Sequence, residues 1–247
     1  MLVFDAYQFS GEGLIFAESA ANWITYFGNS NLGGKLIVAI LIFISIFAWT
    51  VMIGKYLELS KIARLNNAFK HKMSREKLVL YSQQRELPHV PYSKLFHHAL
   101  DAFHRLGEDR GRGETKDSNA MRVSHMSNAI ERSVNDILKL YEARMVPLAT
   151  IVTVAPFLGL LGTVWGVMDA FGSVALQANV TLQMLAPGVS GALLTTVAGL
   201  TVAIPSVFGY NILLAKNRDL TRDLENFGSS LSDRIELEYQ QQYGQDV

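Results

Sequence analysis

The sequence predicts an all-α membrane protein with three transmembrane helices, the N-terminus outside, the C-terminus inside, and long helices extending into the cytoplasm. Three observations carry this expectation. Residues 145–215 hold a single charged side chain, Asp169, in 71 positions, where a soluble domain would need charge to hydrate its surface. Residues 36–54 form a further 19-residue run without charge, long enough at ~1.5 Å per residue to cross a hydrocarbon layer of ~30 Å. Basic residues cluster on one side of every span, which sets orientation.

Taken in order, residues 1–34 form an outer segment with Asp5, Glu12 and Glu18 and no Lys or Arg, unlike a cleaved signal peptide. Within it, residues 12–28 are weakly amphipathic through Phe16, Ala20, Trp23, Ile24 and Phe27, suited either to the membrane interface or to a neighbouring helix. Span one occupies 35–54. Residues 55–145 make a cytoplasmic helical domain with 17 Lys and Arg against 11 Asp and Glu. Helices are expected over 56–72, 74–86, 92–106 and 118–145, broken by Pro88, Pro91 and the polar run 107–118. The last of these is expected to run into span two without a loop, with Pro147 kinking it.

Span two covers 146–176, an uncharged turn 177–186, and span three 187–215 from Pro187, so these two spans form a hairpin. Residues 216–247 continue as a cytoplasmic helix with seven acids against four bases. A basic layer facing acidic tails and two separately solvated faces are both compatible with that distribution.

The charge balance, 22 basic against 22 acidic residues, argues against nucleic acid as a partner. The absence of cysteine removes disulfides, thiolate metal sites and cysteine nucleophiles. No GxxxxGK[ST] or HExxH motif is present, and His71, His89, His97, His98, His104 and His125 all lie between spans one and two. An enzyme is not expected, nor a metal site, nor any cofactor.

The chemistry sits in spans two and three. Gly159, Gly162, Gly166 and Ala170 share one helical side, and Gly188, Gly191, Ala192, Thr195 and Gly199 repeat the pattern in span three. Small residues let membrane helices approach closely, which by itself means packing. Thr163, Thr195 and Thr196, with Ser190 before them, place hydroxyls at comparable depth on the two arms of the hairpin. A lone threonine bonds its own helix, whereas three together are able to line a polar path. Pro156, Pro187 and Pro205 each free a carbonyl. No Asp, Glu, Lys, Arg or His stands mid-span. Asp169 lies six residues past Thr163, ~9 Å along the helix, either at an ion entrance or as a hydrated helix-end acid. Ion relays ordinarily use an intramembrane carboxylate, so any ion step here needs one from another protein.

APFLGLLGTVWGVMDAF (155–171) and APGVSGALLTTVAGLTVAIPSVFGYN (186–211) closely resemble the signature helices of the ExbB/TolQ branch of the MotA/TolQ/ExbB proton-channel family. The resemblance implies an inner-membrane homopentamer whose second and third spans surround the helices of an ExbD/TolR/MotB-like single-span partner. That partner would bring the ion-carrying aspartate and power work at the cell envelope. Thr163 matches the family threonine of the second span and Thr196 the pore threonine of the third. One departure stands out: at the pore-lining position 191, Gly191 replaces a pore-facing glutamate frequent in that branch. With the additional Thr195 it leaves Na⁺ coupling open beside the H⁺ coupling the branch implies. A non-conducting membrane scaffold is the competing class.

Overall fold

In a computed structural model of the chain, residues 23–75, 78–79, 87, 89–108, 116–177 and 179–243 are described. Most of the amphipathic stretch 12–28, the helix expected over 74–86, Pro88 and part of the polar run 107–118 lie outside them. Five long helices follow in order: α1 (Leu32–Ser74), α2 (Pro91–Glu108), α3 (Lys116–Glu142), α4 (Met145–Val174) and α5 (Leu182–Tyr243). Residues 23–29 form a further short helical segment, and no strand occurs among the described residues. Three stretches are long and apolar enough to cross a membrane, lying within α1, within α3–α4 and within α5. The fold is an all-helical membrane protein.

Helix ends follow local chemistry. Asn31 caps α1, its Oδ1 accepting the Gly34 amide at 2.7 Å. Pro91 opens α2 at the position where a missing N–H costs nothing. Two boundaries differ from expectation. The helix leading into span two is not continuous: α3 stops at Glu142, Arg144 takes φ 68°, and α4 starts at Met145. The cause is Pro147, which cannot donate to the turn before it. The break upstream places Pro147 in the first turn of α4, where backbone N–H groups lack intrahelical partners anyway. Likewise α5 begins at Leu182 and not at Pro187, its first turn led by Thr181, whose carbonyl accepts the Met184 amide at 3.1 Å.

The chain divides into two compact units, one from Met1–Met52 and Pro147–Tyr210, the other from Ile53–Val146 and Asn211–Val247. The second unit has an ordinary core. Leu213, Leu220, Leu224, Phe227, Leu231, Ile235 and Tyr239 recur at three-, four- and seven-residue steps on α5 and are all buried. Leu59 and Phe69 of α1, Tyr92, Leu95 and Phe96 of α2, and Met126, Ile130 and Ile137 of α3 are buried in the same unit. Tyr92 stacks on Phe227 at 4.1 Å, with Phe69 edge-on to Phe96 and Phe227. Asn66 ties this core together by donating to the Tyr141 hydroxyl and accepting the Tyr92 amide. Arg234 and Glu238 of α5 hold the end of α1 and the chain just beyond it, Arg234 donating to the Met73 carbonyl and Glu238 accepting the Val79 amide.

The first unit inverts the usual surface. Phe43, Ile46 and Trp49 on α1, Phe157, Leu160, Val164 and Met168 on α4, and Leu193, Ile204 and Phe208 on α5 are exposed. Helices apolar on their outward side and packed through small residues on the inward side suit a lipid solvent.

Candidate functional site

Small residues fix how α4 and α5 meet. A Cβ at Gly159 would stand 2.9 Å from the Thr195 carbonyl and 3.2 Å from Gly199 Cα, and one at Gly199 would stand 2.7 Å from the Ala155 carbonyl. Gly166 faces Ala192 and Gly188 faces Ala170 with equally little room, 2.6 and 2.8 Å from a Cβ to the alanine methyl. The two helices are therefore in close contact along a seam of four glycines and three alanines, with Gly162 lying against the Thr195 side chain.

That closeness brings the three threonines together. Thr195, fully buried, has its hydroxyl 2.7 Å from the Ala192 carbonyl and 3.0 Å from the Gly159 carbonyl. The Thr163 hydroxyl lies 3.2 Å from the Gly159 carbonyl, 3.1 Å from that of Ala192 and 3.3 Å from Thr195 Oγ1. Thr196 Oγ1 bonds Thr163 Oγ1 and sits 3.3 Å from the Gly159 carbonyl. Each hydroxyl owns one proton and accepts through two lone pairs, so three donors share two carbonyls and one another. No single pattern uses every contact. Rotating one hydroxyl re-aims its neighbours, and the cluster changes hydrogen-bond polarity without acquiring charge.

The remaining candidate residues take other places. Ser190 donates to the Pro187 carbonyl at 2.9 Å, bonding its own helix. Asp169 is exposed on α4, six residues past Thr163. Pro156 lies inside α4, and Pro187 and Pro205 inside α5. Gly191 is buried, and a Cβ on it would stand 2.8 Å from Ser30 Cα. The Ser30–Gly34 turn at the start of α1 thus belongs to the same neighbourhood, which the sequence reading did not foresee. The Asn31-Leu32-Gly33-Gly34 run, a helix cap followed by two glycines, was its available signal. Among the described residues no group of three His, Cys, Asp or Glu is placed to hold a metal.

The chain as a whole has recognisable relatives. Residues 91–226 match the profile of the MotA/TolQ/ExbB proton channel family. The chain is 29% identical to the Tol-Pal system protein TolQ of Haemophilus influenzae over 210 residues, covering 83% of this chain and 90% of that one. It is 30% identical to the biopolymer transport protein ExbB of Neisseria meningitidis over 203 residues, 81% of this chain and 90% of that one. Against ExbB of Salmonella typhimurium the identity is 51% over a shorter stretch of 65 residues, 26% of this chain and 27% of that one.

Proposed function

Because the chain belongs to the MotA/TolQ/ExbB proton channel family, we propose that it is the pore-forming ring subunit of an ion-driven motor in the bacterial inner membrane. Five copies surround the membrane helices of an ExbD/TolR-like single-span partner, with the N-terminus outside and the charged unit in the cytoplasm. The family is one of channels that energise transport, so no enzymatic reaction is assigned.

One observation carries the reading: three hydroxyls and two carbonyls converge at mid-span, where no Asp, Glu, Lys, Arg or His stands. Neutral oxygens stabilise an ion or an ordered water in an apolar surrounding without themselves holding the charge. The charge carrier is then a carboxylate on the partner. An ion arriving from outside neutralises that carboxylate and removes the cost of moving it past an apolar wall. Passage beside the hydroxyl cluster follows, the ion leaves inward, and the partner helices turn against the ring. One elementary charge crossing ~100 mV supplies ~2.3 kcal/mol per step.

Protons are the favoured ion. Sodium is the second reading, motivated by the density of neutral oxygens that Thr195 adds to the cluster. The test is to co-purify the ring with its single-span partner and measure flux in proteoliposomes, with and without Na⁺. Thr163→Ala is expected to reduce flux several-fold while the ring still assembles. Loss of assembly without a specific flux defect would return the cluster to a packing role, the behaviour of a scaffold.

A further inference from the structure

The junction Asn29–Gly34, made of the last residue of the 23–29 helical segment, the break at Ser30 and Asn31, and the first turn of α1, lies against α4 and α5 at the level of the hydroxyl cluster. Three of its approaches are made possible by absent side chains. Beside Gly191 of α5, a Cβ would stand 2.8 Å from Ser30 Cα, 2.8 Å from Ser30 N and 3.1 Å from the Asn29 carbonyl carbon. Gly33 lies against the indole of Trp165 on α4, 3.2 Å from where its Cβ would be. Gly34 leaves room for the Ser30 hydroxyl and the Asn31 side chain, with Thr195 Cγ2 3.5 Å from a Cβ there. Gly191 precedes Thr195 by one helical turn, and Trp165 follows Thr163 by two residues. The turn therefore stands directly beside the cluster.

Ser30 is 5% exposed, yet its hydroxyl has no hydrogen-bond partner. An unpaired buried hydroxyl disfavours the closed position, and hydration of that hydroxyl is regained when the turn lifts. Opposing this, Asn31 Oδ1 holds the Gly34 amide at 2.7 Å and keeps the turn in shape. The turn is firm internally and poorly satisfied where it docks. That combination belongs to an element that moves as a piece.

We propose that the Asn29–Gly34 turn is a movable cover that controls water access to the hydroxyl cluster, with Gly191 as the residue that admits it. The proposal rests on the cluster's being part of an ion path. A side chain at position 191 would bar the turn from its seat, so glycine there exchanges a fixed wall group for a mobile stretch of backbone.

The chain contains no cysteine, which makes Ser30→Cys a single reporter. The full-length protein, in membrane vesicles, is treated with a charged maleimide, and the rate is referred to the same protein denatured. Thiols react as thiolates in proportion to their access. In the otherwise unchanged chain, modification should be slower than the denatured reference by roughly tenfold or more. Adding Gly191→Val should recover most of that difference. Gly34→Val, which fills the seat of the Ser30 hydroxyl without substituting a residue of α5, should do the same should the α5 variant fail to assemble. A Ser30→Cys thiol that reacts at the denatured rate in the unchanged chain overturns the proposal. So does a protected thiol whose rate neither glycine substitution alters. The readout needs no transport, so it stands apart from the fate of the Thr163→Ala flux experiment.

Discussion

The side chains with most at stake are those with few alternatives. Thr195 is fully buried and its hydroxyl faces two carbonyls, so Thr195→Val keeps the shape and deletes the donor. A net loss of about 1 kcal/mol is expected from one such bond, read as a modest fall in the melting temperature of the purified protein. Arg144 presents the opposite case. It sits at φ 68°, a conformation that costs an L-residue roughly 1–2 kcal/mol. Its guanidinium is only loosely held: Arg144 Nη1 lies 4.0 Å from Glu58 Oε2, and the arginine side chain is largely exposed. Arg144→Gly should therefore hold stability or raise it by up to about 1 kcal/mol, whereas Arg144→Val should lower it. Thermal melts of the two variants side by side check the sign.

Among elements, the α4–α5 seam is the most exacting. Helix association in lipid has no hydrophobic drive and depends on close packing. Gly159 and Gly199 each bring backbone within 3.2 Å of where a Cβ would go, and neighbouring backbone, unlike a flexible side chain, has little freedom to yield. Gly159→Val is expected to cost about 1–3 kcal/mol by overpacking and to separate the three hydroxyls as the helices part. Gly172, with nothing within 4 Å of its Cβ position, should accept alanine without consequence. Assembly measured by size-exclusion chromatography distinguishes the pair. Should both substitutions behave alike, the seam does not hold the hairpin.

For the molecule as a whole, the two units answer to different solvents. The apolar unit is held by backbone proximity, while the charged unit has an aromatic core of the kind found in water-soluble bundles. The Tyr92 hydroxyl reports on that core. Burial, reinforced by the nearby Asp223 carboxylate and by Tyr141, pushes its pKa above the ordinary 10.0. The folded chain keeps this proton at a pH where the unfolded chain releases it. The associated stability is complete below about pH 10 and declines as pH rises beyond it. Melting temperature should accordingly fall above about pH 10, and Tyr92→Phe, which retains the stack on Phe227, should flatten that fall.

By itself the sequence determined the three spans, because a run without charge has no stable place in water and needs no partner to declare itself. It also identified the threonines, the glycine face and the missing carboxylate, each legible as residue type at helical spacing. Helix limits were less legible. Pro147 announced a disturbance but not where the chain would absorb it, since moving the break to Arg144 depends on the competition between a left-handed residue and a lost hydrogen bond. Only the tertiary structure decided that Gly191 meets the Ser30 backbone. The two lie 161 positions apart in the chain, and no local pattern records which empty Cβ position a distant turn will fill. Periodicity reports which face of a helix is small; contact between faces is settled only when the helices come together.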